Sequence, residues 1–544
     1  MPETFTEIRI ESLVSGAWYN LTPDVKQNPP PRVSGMGGMG FGITDRIGGA
    51  AVFTFTLDNS AANSAATLGY YTPQGTSTGN KIKPGYPVRV SFSYDGRKQY
   101  KFYGTVDVDG ISVSTGKYQE REVSVRCSNW MAKAAKHKLD LLGYQTNKTF
   151  DQAARYVLNN MYAQPQQTYF NTGQQTFATV FDVTRTNTTS LGEINKLVYS
   201  EFGRAYIKGD DTNGETFVLE DNAWFSRTDT GDRDNGSYIP TKQSLVTDNL
   251  LLMAATSNLL LMQGGNLLLN TKQRASFAES DIEDMTWNYG GNVYNHVVFK
   301  TYPRDIRTSQ VLWSLPSGEP ITLTAGQQIA DIRGTYTDPN GGFAKVNGLD
   351  NTMSTAYAAF QNSDGTGTNY TSSVSVVARY GTAEVSYTLT NNAAVTVYVT
   401  QLSATGSGVF IYDTNDKAYN NADSQNLYNF YPLEIDMPYL GNVTELSYLG
   451  TDTSIWVSGL LAFVSSTIPT ISNLTMTVNK TSKQMLAFMY LEPRDFIKIS
   501  ETVTAVSGVG SYTASAWLIQ SYDFEIINGT TVKWYLNLKY SGTA

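Results

Sequence analysis

Pro84-Gly-Tyr-Pro-Val-Arg-Val-Ser91 and Pro493-Arg-Asp-Phe-Ile-Lys-Ile-Ser500, near the two ends of the chain, carry one pattern. Each is a proline followed by an alternating strand in the order apolar, basic, apolar, serine. A period of two puts the apolar residues on one face of a strand. Each segment then leads to a strand pair. In the first, Asp95-Gly96 marks a hairpin turn and the return strands carry Phe102, Val106 and Val108. In the second, Tyr522, Phe524 and Ile526 alternate into Asn528-Gly529, a strong hairpin signal, and Val532, Trp534, Leu536 and Leu538 alternate out of it. A duplicated β-barrel at both ends of the chain would produce this echo. The two ends are therefore expected to pack together as one body, sharing a sheet or an interface, with a long insertion between them.

Working outward, residues 1–130 read as an N-terminal β-barrel or sandwich, with Phe53, Phe55 and Leu57 alternating into the loop signal Asp58-Asn59-Ser60. Residues 131–244 read as an α+β domain. Trp130–Leu142 and Phe150–Met161 have helical spacing. Ser190 with Glu193 resembles a capping box ahead of the face Ile194, Leu197, Val198 and Phe202, and Gly203 stops that helix. Residues 245–275 hold a leucine-rich ribbon: Asn249-Leu-Leu-Leu-Met253, Asn258-Leu-Leu-Leu-Met262 and Asn266-Leu-Leu-Leu269. Their spacing does not follow the seven-residue recurrence of a helical seam, so short strands fit better. Leucine's weak strand preference leaves the helical reading open. Residues 276–314 are connecting strands. Residues 315–430 suggest an inserted β-sandwich, with strands Val374–Tyr380, Glu384–Leu389 and Val395–Thr400. Residues 431–544 form the second barrel with one helix, from about Ser454 to Ser465. The fold class is mainly β and multidomain.

Composition excludes several functions. Net charge is -8 over 544 residues, and no basic run occurs, so a counterion-releasing grip on nucleic acid is not expected. Such a surface suits DNA that must slide past. Only 16% of residues are charged while 12% are aromatic, a balance that favours contact with neighbours over free diffusion. One cysteine, Cys127, rules out an intrachain disulfide and sits in an alternating strand as a small core residue. Met1-Pro-Glu-Thr-Phe-Thr-Glu7 lacks the regions of a secretory signal, and no window approaches the roughly 18 apolar residues of a membrane span, so a cytoplasmically made, soluble chain is expected.

The motifs that carry chemistry are incomplete. Gly35-Met-Gly-Gly-Met-Gly40 matches G-x-G-x-x-G, but it follows three prolines and leads into a strand, so it reads as a flexible or packing loop. Only His137, on a lysine-rich helical face, and His296, in a strand, exist. No zinc spacing or nucleophile elbow accompanies them. Asp107-Val-Asp-Gly110, Asp229–Asp234 and Asp413–Asp416 are fragments of calcium loops better read as β-turns. No catalytic residue, metal ligand or cofactor site is expected.

Several stretches together resemble the tail-tip or baseplate hub proteins of siphophage-like tailed bacteriophages. They are Ala51–Ser60, Gly69-Tyr-Tyr-Thr-Pro73, Lys83–Val90, Tyr103-Gly-Thr-Val106 and Val123–Trp130, with Leu197–Gly203, Tyr431–Tyr439, Leu491–Ile499 and Trp517-Leu-Ile-Gln520 downstream. The resemblance implies a structural subunit of the virion tail tip, in a ring under the tail tube through which DNA passes in transit. It implies a homotrimer, with a hexameric ring second. The implied neighbours are the tail tube, distal tail protein, tape measure and fibres. Such families supply no catalytic residues to carry over. Apart from it, eleven Leu and Met residues between Asn249 and Leu269 need another surface to cover them, either the same chain's barrels or, as preferred, copies of the segment around an axis, with Leu251, Leu260 and Leu268 the expected oligomer-interface residues. Two alternatives stay open: a receptor-binding protein whose inserted domain takes a host glycan, and a cell-wall hydrolase.

Overall fold

The computed structural model describes residues 3–540 apart from 74–80, 116–120, 141, 183, 185–186, 223–235, 243, 247–259, 264–265, 270–271, 289–292, 338–343, 348–353, 446–452 and 500–515. Thirteen strands form one sheet. From the N-terminal part come β1 (Glu7–Val14), β2 (Ala17–Asn20), β3 (Arg32–Met36), β4 (Val52–Asp58), β5 (Pro87–Tyr94), β6 (Arg97–Thr115) and β7 (Arg121–Ser128). The others are β8 (Ser276–Phe277), β9 (Asp284–Asn288), β10 (Thr470–Val478), β11 (Phe496–Ile499), β12 (Ala516–Ile527) and β13 (Thr531–Tyr540).

Their spatial order repeats. The first unit runs β3-β4-β7-β6-β5-β1 and the second β9-β10-β13-β12-β11-β8, each strand taking the same place in chain order. Every neighbouring pair within the units is antiparallel except β8 on β11, which is parallel. The proline echo falls on equivalent strands, β5 and β11. The expectation of two barrels needs correction, because the described strands trace an open path with no closed barrel. The reason lies in β3. Its second edge pairs with β12 (Arg32 opposite Glu525, Val33 opposite Phe524), joining the units where closure would have needed it.

Six helices accompany the strands among the described residues: α1 (Trp130–Lys136), α2 (Phe150–Asn159), α3 (Ser190–Glu201), α4 (Ala422–Tyr428), α5 (Thr453–Val464) and α6 (Ser482–Tyr490). The C-terminal part therefore has a second helix that the sequence reading omitted. A capping box of Thr481 and Gln484 starts α6, and Met485 through Met489 are all buried. Its Phe488 ring lies 4.9 Å from Phe92, 5.4 Å from Phe524 and 5.6 Å from Trp534, so one side chain fills the core between the units.

The α+β body lies between β7 and β8, within residues 130–222. Arg204–Lys208 and Thr216–Glu220 pair as a hairpin, and Gln167–Phe170 adds in parallel. Two helix ends differ from expectation. Thr189, not Ser190, caps α3, its hydroxyl accepting from Gly192 N at 3.1 Å, which leaves Glu193 free to pair with Lys196. The left-handed residue ending α3 is Phe202, ahead of Gly203. Helix α1 stops at Lys136, because Lys138 bridges to Thr189 and pulls the chain straight.

A second insertion separates β9 from β10. His296–Thr301 pairs with Asn415–Asn420 and Pro432–Met437, and this small sheet shares the core of α3. Inside it sits a two-sheet sandwich whose strands run from Arg304–Ser314 to Val397–Ile411 around Leu312, Tyr387, Leu389 and Val399. Asn415–Asn420 and α4 lie outside the sandwich.

Gly37, at φ +78°, lets the chain turn beneath Pro493; an added Cβ would stand 2.4 Å from Pro493 Cγ. Gly16 has a similar φ, +83°, and open space around it. Gly16→Ala should cost about 1–2 kcal/mol of backbone strain. Gly37→Ala should cost clearly more, by denaturant titration, because it also separates β3 from the second unit.

Candidate functional site

The two sheet units and the α+β body meet at one carboxylate. Glu492 Oε1 accepts from Lys101 Nζ of β6 at 2.5 Å. Its Oε2 accepts from Tyr522 OH of β12 at 2.9 Å and from Gly209 N of the α+β body at 3.1 Å. Lys101 is fully buried. It also donates to Leu491 O at 2.9 Å and lies 4.9 Å from the Tyr522 ring centroid. Burial pulls the Lys101 ammonium below its ordinary range, and Glu492 works against that shift. Alongside, the Arg494 guanidinium donates to Glu220 of the α+β body. Backbone bonds tie the same seam, Tyr100 N to Asp210 O at 2.8 Å and Asp210 N to Tyr100 O at 3.0 Å.

The glycine-rich segment builds the other side of this junction. Gly48 N donates to Ala205 O and Ala205 N to Arg46 O. Arg46 is buried, with its Nη1 donating to Phe202 O at 2.9 Å and Gly203 O at 3.3 Å and its guanidinium 3.2 Å from the Phe202 ring centroid. A cation thus sits at the C-terminus of α3, where the helix dipole is negative. This loop opens no helix, and Met39 packs against Tyr206 and Val218. It is the packing loop the sequence suggested.

Desolvation is the chief cause that raises Glu201 to about 8, Glu215 to about 7 and the half-buried Asp495 to about 6. All three hold backbone donors. Glu201 accepts from Gln174 N at 2.8 Å, Glu215 from Trp130 N at 2.9 Å, and Asp495 from Glu492 N at 2.8 Å. Held against their own backbone, they pin loops and strand ends.

The residues singled out from sequence are dispersed. Cys127 is buried in β7 opposite Phe53 and Val106, and burial pushes its thiol up. His137 is half-buried; its Nδ1 lies 2.9 Å from Ser190 Oγ, and Ser190 is fully buried at the start of α3. That pair anchors a helix and does not sit solvated on a helical face. His296 bonds Asn420 and packs on Phe430. Asp107–Gly110 is a bulge within β6 and not a turn between strands. Asp229–Asp234 lies outside the described residues. Among the described residues no group of three His, Cys, Asp or Glu could hold a metal, and no helix is long and apolar enough to cross a membrane. Of the leucine ribbon, Leu260–Gln263 and Asn266–Leu269 are paired short strands, with Leu260 opposite Leu269 and Leu268 opposite Leu261. Leu251 lies outside the described residues. The polar junction itself was missed. Its one visible signal was the acid Glu492 beside the proline of the second echo.

No protein-family model matches the chain, and no curated protein matches it. Solved structures similar to it include a tail protein from Neisseria meningitidis MC58, with 10% identity, a TM-score of 0.43, and coverage of 98% of this chain and 96% of that one. A 43 kDa tail protein of prophage MuSo2 from Shewanella oneidensis has 11% identity and a TM-score of 0.42, covering 97% and 98%. An E. coli component of the type VI secretion system, described as similar to T4 bacteriophage tail proteins, has 12% identity and a TM-score of 0.22, covering 46% and 54%.

Removing one member of a buried pair strands the other charge, so Glu492→Ala should cost about 3–5 kcal/mol. The double change Lys101→Met with Glu492→Leu should recover most of it, read by denaturant titration. Glu201 gives a pH dependence. Its folded-state pKa lies above the ordinary 4.5, so ionisation opposes folding, and its effect grows as pH rises from about 4.5 through 8. Melting temperatures across that window should fall more steeply for the native chain than for Glu201→Gln.

Proposed function

We propose that the chain is a structural, non-catalytic subunit of a bacteriophage tail, at the tail tip or baseplate hub, in the ring through which DNA leaves the tail tube. The observation that supports this best is the repeated six-strand unit, fused into one open sheet and locked by Glu492. A duplicated unit doubles the number of similar faces that each copy brings to a ring, which suits a closed assembly around a passage. Glu201, Glu215 and Asp495 each accept from a backbone N–H. The negative net charge suits DNA in transit. Of the stretches that resemble tail hubs, Ala51–Ser60, Lys83–Val90, Tyr103–Val106, Val123–Trp130, Leu491–Ile499 and Trp517–Gln520 contribute strands to the large sheet. On this reading the other tail proteins are its neighbours, the homotrimer is its preferred state, and Leu251, Leu260 and Leu268 meet their copies around the axis.

The test is to image particles labelled on this chain. Label at the distal end of the tail is expected; label on the capsid or along the whole tube would overturn the reading, as would turnover of peptidoglycan by the purified chain. The ribbon has its own measurement. Replacing Leu251, Leu260 and Leu268 with Ser should lower the solution mass or the melting temperature of the oligomer. Unchanged stoichiometry and melting would remove the ribbon from the interface.

A further inference from the structure

The small sheet of the second insertion has two unlike faces, because side chains alternate along its strands. Val297, Phe299, Leu433, Ile435 and Met437 turn into the core shared with α3. The opposite face meets solvent, and the register arranges it in rows. His296 lies between Asn420 and Pro432, Val298 between Ala418 and Glu434, and Lys300 between Asp416 and Asp436. The middle row is low at its centre, where Val298 and Ala418 carry short side chains. His296 and Lys300 flank it on the same strand, roughly 13 Å apart at about 3.3 Å per residue. The result is a shallow trough with one aromatic wall and one charged wall.

The aromatic wall is held outward. The Phe430 ring lies 4.9 Å from His296, yet Phe430 is 58% exposed, and Tyr431 and Leu427 beside it are 50% and 71% exposed. Leaving three large apolar side chains in water forgoes the gain of burying them, and such patches mark contact surfaces. The turn that displays them is fixed from beneath. Fully buried Asn295 donates from Nδ2 to Asn429 O at 2.6 Å, and its Oδ1 accepts from Tyr431 N at 2.9 Å. Between these two bonds Asn429 stands at φ +68° and ψ -176°, a conformation that only glycine enters readily. A strained turn clamped by a buried amide is preorganised, so a ligand meets it without an ordering cost.

The charged wall has the opposite chemistry. Lys300 Nζ donates to Glu434 Oε2 at 2.6 Å, and Tyr302 OH donates to Asp436 Oδ1 at 2.7 Å. The bond to Glu434 and the charges of Asp416 and Asp436 hold the Lys300 ammonium above its ordinary range. Three carboxylates around one ammonium leave this wall negative. Ionised carboxylates only accept hydrogen bonds. A complementary ligand therefore brings donors to one end, an apolar face to the other, and no acid group of its own. A pyranose ring meets all three conditions, with hydroxyls at its edge and C–H groups on its face.

We propose that this trough binds an uncharged or amino-bearing pyranose of a polysaccharide, stacked on Phe430 above Val298 and Ala418, with hydroxyls donating to Glu434 and Asp436. The site lies outside the sandwich. It adds a binding activity to the structural role and does not depend on where in the tail the chain sits.

The test offers the full chain a panel of immobilised oligosaccharides: neutral hexose and N-acetylhexosamine chains, glucosamine oligomers, and chains carrying uronate or sialic acid. Neutral or amino chains should bind, and acidic ones should not. Phe430→Ala, which removes the stacking ring, and Ala418→Trp, which fills the trough, should each weaken binding on the order of tenfold or more. Both positions are exposed, so both variants should melt with the native chain. Glu434→Gln with Asp436→Asn should reduce the discrimination against acidic chains. A panel that does not bind at all would overturn the site, as would binding that both Phe430→Ala and Ala418→Trp leave unchanged. Loss of tail assembly in those variants without any sugar binding would also overturn it and give the surface to a protein neighbour. The position of labelled particles is read separately, so this site and the tail reading fail independently.

Discussion

A carboxylate at the meeting of three bodies, with only 13% of its side chain exposed, must be satisfied from all three, and Glu492 is. The cost of taking Lys101 and Glu492 out of water is recovered only if the sheet units and the α+β body arrive together. The interaction therefore acts less as glue than as a condition on the assembly of the fold. Phe488, between the units, and Arg46, at the end of α3, reinforce the same junction by apolar contact and by helix capping. The remaining architecture hangs from this point.

The duplicated units also explain where the long insertion lies. In the first unit the link from β3 to β4 is the glycine-rich segment, which packs back on Ala205. In the second, the equivalent link from β9 to β10 carries residues 289–469, the small sheet and the sandwich with them. One site on the unit thus tolerates a tight loop or an entire pair of bodies, because both strands flanking it are held in the sheet. The sandwich is itself clamped to the α+β body. Arg304 pairs with the fully buried Asp182 at 2.5 Å, and Thr382 N donates to Leu142 O at 3.2 Å.

Strands were legible wherever one face was wet, since alternation then survives in the sequence. The β5 and β12–β13 patterns and the helix α5 all fell where periodicity placed them. Helix α6 left no such trace, because a helix buried on all sides has no polar stripe to mark its period. The caps of α3 shifted by one residue because Thr189 and Ser190 are both capping residue types, and Phe202 takes the left-handed turn with its carbonyl held by Arg46. Barrel closure could not be read at all. Whether β3 closes its own unit or crosses to β12 depends on an edge that no local pattern encodes. The junction was hidden likewise, its four contributors being Lys101, Gly209, Glu492 and Tyr522.

The seam between β3 and β12 has a consequence in time. The bond from Arg32 to Glu525 spans 493 residues. At synthesis rates of about 5–20 residues per second, β3 leaves the ribosome roughly 25–100 s before its mate exists. For that interval the far edge of β3 has no native partner from its own chain. On a crowded message the earliest β12 to appear belongs to a neighbour further along. Exchange of strands between nascent chains is thus the characteristic hazard of this topology, and the rate of translation becomes a variable in its folding yield.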